Sequence, residues 1–190
     1  MAFFPMMFDL NNKKCLVVGG GRHAIKAIRV LLEFGASVTV VAPSILDAVK
    51  DFDPMKVSVI NREFVNEDIR AGYTLAIVAT GDDDINSSIA FLCKQFRLLV
   101  SVEGNLAISD FQVPEYIKES ELVGAFSAGG QSKAVEKYMK SQATFINNDL
   151  VHISERADAR KVELAKQGMS DLDMIPELEA YVAELTSTLL

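Results

Sequence analysis

Three glycines in a row, Gly19, Gly20 and Gly21, follow the apolar run Cys15-Leu16-Val17-Val18 and lead straight into Arg22-His23-Ala24. The run is short and apolar throughout, which suits a strand buried on both faces. Beyond the glycines, Ile25, Ile28, Leu31 and Leu32 recur at helical spacing, and Gly35 stands where a helix ends in a left-handed residue. A strand, a glycine turn and a helix in that order open a β-α-β unit. Within it, Gly19 to Ala24 fits G-x-G-x-x-A. Gly19 allows the tight turn, Gly21 removes a Cβ so that backbone can approach a pyrophosphate, and Ala24 lets the helix pack closely on the sheet. Its place between strand and helix gives the motif meaning, and dinucleotide binding is the expectation. The alternative is a glycine turn that only packs helix on sheet.

The alternation continues. "SVTVVA" (37–42) reads as a second strand, 45–52 as a helix, 56–60 as a third strand and 66–71 as a short helical turn. "TLAIVAT" (74–80) and "LLVSV" (98–102) are further apolar strands. Between them "DDDINSSIAFLCKQF" reads as a helix whose acidic start suits the positive end of its dipole. Repeated β and α units of this length predict a doubly wound parallel sheet. After residue 103 the pattern changes. "GNLAISDFQVPE" reads as loop, "LVGAFSAGG" as a strand ending at a glycine pair, and Ser132 as the N-cap of a helix to about 143. From about 148 the chain reads as two helices broken near Gly168, with Leu178, Tyr181, Val182 and Leu185 at helical spacing. The expected class is α/β: a Rossmann-like doubly wound parallel sheet, a small β/α segment and a C-terminal helical domain.

Charge narrows the ligands. A formal net charge of −7 argues against general nucleic-acid affinity, and an anionic ligand must find local cations or helix N-termini. No apolar run approaches the ~20 residues of a spanning helix, and the N-terminal "MAFFPMMFDL" lacks a basic n-region. A cytoplasmic address with no membrane association is expected. Cys15 and Cys93 stand far apart, and no cluster has metal-ligand spacing. Asp82 to Asp84 read as helix capping. Strand two ends in "TVVAPS", with Pro43 and Ser44 where an acidic residue often meets the ribose hydroxyls. Ser44 can still hydrogen-bond a ribose; the motif alone does not separate NAD from NADP.

An ordered set of short pieces carries a more specific likeness. They are Phe4-Pro5, Leu10, "CLVVGGG", Arg29, "LLE", Gly35-Ala36, "TVVAP", Ala79-Thr80 with Asp82-Asp83 and Asn86, "DF" at 110–111 before Pro114, and "GG-x-S" at 129–132. In this order and spacing, over roughly residues 1–145, the chain resembles the precorrin-2 dehydrogenase/sirohydrochlorin ferrochelatase family, the N-terminal module of siroheme synthases. The resemblance implies an NAD-dependent oxidoreductase that converts precorrin-2 to sirohydrochlorin; some members then insert ferrous iron. It implies a homodimer with a tetrapyrrole substrate, and domains at 1–112 (nucleotide-binding), 113–147 (dimerisation) and 148–190 (helical). It further implies Gly19, Gly21, Arg22 and His23 against the pyrophosphate, Pro43 and Ser44 at the adenosine ribose, and Thr80 near the nicotinamide.

The chain also departs from the family. Where members usually read Asn-Val-Val-Asp after the fifth strand, this chain reads Ser101-Val102-Glu103-Gly104, so Gly104 takes the place of the Asp. Glu103 is the candidate replacement carboxylate, although a continuing strand would turn it to the opposite face. Lys133 replaces a proline after Ser132, and Ala128 stands where some members carry a phosphorylatable serine. Ser132 and Lys133, at the start of a helix that continues with Lys137 and Lys140, are candidate contacts for substrate carboxylates; a solvated helix face is the alternative. Asp110 is a substrate contact or a turn cap. His23 reads as a cofactor-contact or shape residue, and His152 as an exposed helical histidine. With Gly104 in the family's Asp position, the alternative function is a catalytically impaired dinucleotide- or tetrapyrrole-binding module, a sensor, carrier or partner of a haem-pathway enzyme.

Overall fold

The computed structural model describes residues 4–130 and 132–187; Gln131, the variable position of "GG-x-S", lies outside the described residues. The chain forms two compact units, residues 1–113 and 114–190.

The first unit is built on five parallel strands. They are β1 (Lys14–Val18), β2 (Ser37–Val41), β3 (Val57–Ile60), β4 (Leu75–Val78) and β5 (Leu99–Val102). Their order in the sheet is β3-β2-β1-β4-β5, all neighbours parallel. Helix α1 (Arg22–Glu33), the single-turn α2 (Asp47–Lys50), a 3-10 turn (Asn66–Ala71) and α3 (Asp83–Gln95) connect them. The winding runs from β1 outward to β3, then returns to place β4 on the other side of β1. Such a reversal opens a crevice at the carboxyl ends of β1 and β4, where ligands of open α/β sheets bind.

The apolar strands follow from burial on both faces. Cys15, Val17, Val38, Val40, Leu75 and Ile77 pack with Ala24, Ile28 and Leu31 of α1. The alternate residues Leu16, Val18, Ala76, Val78, Val100 and Val102 pack with Ile89, Ala90 and Cys93 of α3. Each large aliphatic side chain among them contributes about 1.5–3 kcal/mol when fully buried. The two thiols lie in these layers, and burial pushes Cys15 and Cys93 up to about 11, with the nearby Asp110 charge adding to the rise at Cys93. Neither is a thiolate at neutral pH.

In the second unit, β6 (Glu115–Glu119) and β7 (Leu122–Phe126) form an antiparallel hairpin. Its short turn places Ser120 at φ +54°. Helix α4 (Lys133–Gln142) packs against both strands, and α5 (Asn148–Lys166) packs against α6 (Asp171–Ser187). Strand β6 falls where the sequence shows only a loop running into a single strand. Its alternation is masked because Glu115, Lys118 and Glu119 bracket just two apolar residues, and every residue is half-buried. No helix among the described residues is long and apolar enough to cross a membrane.

Candidate functional site

The three glycines at the tip of β1 have different physical reasons to be glycine. Gly19 adopts φ +129°, and a Cβ there would overlap the carbonyl oxygen of Ala79 at the end of β4. Gly20 lies under the loop after β2. A Cβ on it would overlap the Ser44 carbonyl oxygen and stand 2.8 Å from the Ile45 Cα, and the Gly20 carbonyl accepts the Leu46 amide at 3.0 Å. Gly21, the N-cap of α1, has an ordinary extended conformation, and nothing lies within 4 Å of where its Cβ would be. The motif assigns a role to the first and last of the three; the middle one is fixed by a contact from another loop.

Helix α1 begins without a side-chain cap and without an acidic residue in its first turn. By contrast, Asp82 caps α3, Ser132 caps α4 and Asn147 caps α5. The first amides of α1 thus keep their hydrogen-bonding capacity for a ligand, with the positive end of the helix dipole behind them. Arg22 lies exposed in this turn and makes no ion pair among those found for the described residues.

A cavity of about 930 Å³ opens at this point. Gly19, Gly20, Gly21, Pro43, Ser44 and Thr80 line it, whereas Arg22, His23 and Glu103 do not. The opposite wall is formed by residues that no sequence motif marks. Glu63, Phe64 and Asn66 come from the segment after β3, and Ile85, Ser88, Ile89 and Leu92 from one face of α3. The α3 stripe has the i, i+3, i+4, i+7 spacing that would have identified it as a shared face. The charged lining side chains are Glu63, Asp82 and Asp84, with no Lys, Arg or His among the described residues that line it.

Side chains behind the cavity hold its rim. Asn61 donates from Nδ2 to the carbonyls of Ala42 and Pro43, both at 3.0 Å, and so ties the end of β3 to the tip of β2. Arg62 grips Asp68 with two bonds, Nη2 to Oδ1 at 2.6 Å and Nη1 to Oδ2 at 2.8 Å, and Nη1 also reaches the Glu63 carbonyl at 2.8 Å. Thr80 donates from Oγ1 to Asn86 Oδ1 at 2.7 Å, and its amide donates to the same atom at 3.1 Å. Asn86 is buried, so the Thr80 side chain is set by α3.

The Asp68 side chain is 7% exposed, and its hydrogen bond to Arg62 holds its carboxyl below the usual carboxylate range; the Val65 amide and the Arg62 charge help, and burial opposes. A carboxyl whose pKa is lower in the folded than in the unfolded chain adds stability above its unfolded value of about 3.9, and loses it as pH falls through the folded value. Asp68→Asn is therefore expected to cost about 1–3 kcal/mol at neutral pH. Urea unfolding should show the gap to wild type closing as pH is lowered below about 4; a gap independent of pH would rule out the carboxylate as its source.

β5 ends at Val102, and the Glu103 amide still donates to the Val78 carbonyl of β4 at 2.9 Å. The chain turns after Val102, the Asn105 amide donating to the Val102 carbonyl at 3.1 Å, with Gly104 at φ +78°. Glu103 Oε1 lies 3.0 Å from His23 Nδ1, the two side chains being 51% and 69% exposed. A Cβ on Gly104 would meet nothing within 4 Å. Two residues 80 apart in sequence thus pair at the C-terminal edge of the sheet. Asp110 has its oxygens engaged by the Val100 amide (3.1 Å) and Lys94 (3.5 Å). In the second unit, Ser132 accepts the Val135 amide at 3.3 Å, and Lys133 pairs with the buried Glu136 at 3.0 Å. His152 pairs with Glu155 on α5. Among the described residues no group of three or more His, Cys, Asp or Glu is placed to hold a metal ion.

Residues 6–115 match a family model described as "Putative NAD(P)-binding". The chain is 32% identical over 143 residues to a siroheme synthase of Pseudoalteromonas atlantica, and 34% identical over 146 residues to one of Psychromonas ingrahamii. Each alignment covers 75% of this chain but 31% and 30% of those proteins, so the chain spans about three-tenths of the curated relatives it matches. Among solved structures, a precorrin-2 dehydrogenase superposes with a TM-score of 0.69 at 22% identity, over 97% of this chain and 100% of that one, which shows the shared fold. With the glycine turn, the parallel sheet and the relatives in agreement, the chain belongs to the NAD(P)-binding family matched by residues 6–115 and, within it, to the precorrin-2 dehydrogenase/sirohydrochlorin ferrochelatase family.

Proposed function

We propose that the chain is a dehydrogenase that uses NAD to oxidise precorrin-2 to sirohydrochlorin. The observation that carries this reading is the cradle after β1: an open position at Gly21, an uncapped α1 and a cavity at the point where the sheet reverses. These features fit a pyrophosphate, which needs close backbone approach and free amides more than it needs cations. In this reading Gly19, Gly21 and the first turn of α1 hold the pyrophosphate, with the Arg22 and His23 amides contributing and the Arg22 side chain closing over it. Pro43 and Ser44 bound the adenosine ribose, and Thr80, fixed by Asn86, borders the nicotinamide half.

A bound nicotinamide supplies the acceptor for the hydride. The proton that must also leave the substrate falls to the chain's own residues. Ionised Glu103 can only accept a hydrogen bond, so His23 donates to it from Nδ1 and keeps the Nε2 lone pair free. We assign proton acceptance to His23 Nε2, with Glu103 as the carboxylate that orients it and offsets the charge. Removal of pyrrole N–H protons before iron insertion would use the same pair. Asp110 holds the edge of β5 through the Val100 amide. Ser132 and Lys133, at the N-terminus of α4, are the candidate receptors for the substrate's carboxylates. Residues 113–147 would join two copies, which suits a two-stranded hairpin too small to be stable alone and the exposed Val135, Tyr138 and Met139 on α4. A cytoplasmic enzyme is the matching location.

The test is to incubate the full chain with precorrin-2 and NAD+ and to follow NADH and sirohydrochlorin together; equimolar formation is the expected result. Gly104, which leaves the family's Asp position without a carboxylate, favours a second reading, a binding module without turnover. That reading gains if calorimetry shows NAD+ or precorrin-2 binding while no NADH forms at high enzyme concentration.

A further inference from the structure

An adenosine ribose held by a dinucleotide fold commonly meets a carboxylate at the tip of the second strand. Here that tip is Ala42-Pro43-Ser44, which carries none. The cavity nevertheless has a carboxylate next to it, Glu63, contributed by the segment after β3. The two Asn61 bonds to the Ala42 and Pro43 carbonyls fasten these segments into one ledge. The Glu63 carbonyl is fixed by Arg62, and the neighbouring Phe64 packs into the apolar layer beneath. Glu63 itself is exposed and takes part in no ion pair found for the described residues.

A 2′-phosphate at this position would need a cation. The nearest one in sequence, Arg62, is committed to Asp68 through two short bonds. Among the described residues no Lys or Arg lines the cavity. Phosphate recognition without either an arginine fork or a lysine is unfavourable, and a carboxylate facing the phosphate makes it more so.

We propose that Glu63 is the ribose-recognising carboxylate of this chain, displaced by one strand, and that it makes the site select NAD over NADP. The inference rests on the nicotinamide-dinucleotide reading given above and adds a residue and a selectivity to it. The ionised carboxylate accepts a hydrogen bond from the ribose 2′-hydroxyl and repels a phosphate in its place.

Titration calorimetry on the full chain, with NAD+, NADP+ and 2′-deoxyadenosine-NAD+ as probes, tests this. Wild type should bind NAD+ at least about tenfold more tightly than either other probe, in line with one charged hydrogen bond. Glu63→Gln should shrink both ratios severalfold, and Glu63→Arg should shift preference toward NADP+. Because Glu63 is exposed, both variants should keep the wild-type circular dichroism and melting temperature. If wild type binds NAD+ but the two substitutions leave both ratios within about twofold, the role of Glu63 is overturned while the cofactor reading stands. If wild type binds none of the probes, both fall.

Discussion

Gly19→Ala should melt well below wild type, whereas Gly21→Ala should fold normally and bind NAD+ more than about tenfold more weakly. The two residues lie in one motif, so the contrast is a sharp one. At Gly19 the backbone is at φ +129°, and any Cβ would overlap the Ala79 carbonyl. That oxygen belongs to the backbone at the end of β4, which cannot yield without breaking the sheet. Strain and overpacking together should cost roughly 2–5 kcal/mol, a large part of the ~5–15 kcal/mol that holds a domain folded. Gly20→Ala should behave similarly, since its Cβ would drive the Ser44–Ile45 backbone off the turn. At Gly21 an alanine meets no atom and suits the local conformation, so stability should hold or rise by about 0.4–1 kcal/mol. The methyl would instead occupy the approach to the α1 amides, and NAD+ affinity should fall more than about tenfold, the equivalent of at least one lost hydrogen bond to a charged group. Thermal melts and calorimetry on the three single variants check this. Equal melting temperatures across the three would refute the division of roles.

The second large effect concerns His23 and Glu103. His23→Ala should lower kcat by about 10²–10⁴, the range for loss of a general base, with KM for NAD+ little changed. Glu103→Gln keeps the side-chain size but offers an amide, and should lower kcat by about 10–100-fold, as loss of an orienting partner does. The same hydrogen bond sets the imidazole tautomer. Nitrogen NMR of the neutral imidazole should therefore find His23 protonated mainly at Nδ1 in wild type, and redistributed in Glu103→Gln. Gly104→Asp adds a carboxylate one residue on, where a Cβ meets nothing; the left-handed backbone there costs about 1 kcal/mol, which Asp tolerates better than most residues. In the Glu103→Gln background it should restore part of the turnover. Values of kcat within about threefold of wild type for both single variants would remove the pair from the chemistry.

The sheet was legible because its strands are buried on both faces, and continuous apolar runs such as Cys15–Val18 and Leu75–Val78 are bounded by turn residues at strand length. The helices α1, α3, α5 and α6 follow from their spacing and breakers, and the glycine motif lines the cavity where the sheet reverses. The remaining features depend on groups distant in sequence. The constraint on Gly20 comes from Ser44, and the partner of Glu103 is 80 residues earlier. Glu63 and the α3 stripe reach the cavity only because β3 and α3 flank the same crevice. In β6, charge at three of its five positions hides a period of two.

The contact between Gly20 and the Ser44–Ile45 backbone has an evolutionary side. It makes the loop after β1 and the loop after β2 a single body, so neither can drift in length or path without a matching change in the other. The loop after β3 is joined to that body through side chains, those of Asn61 and Arg62, and its own cavity residues can be exchanged one at a time. Descendants of this chain that acquire a new ligand should therefore keep the glycine turn and the tip of β2 nearly unaltered, and accumulate their adaptive changes between residues 63 and 66.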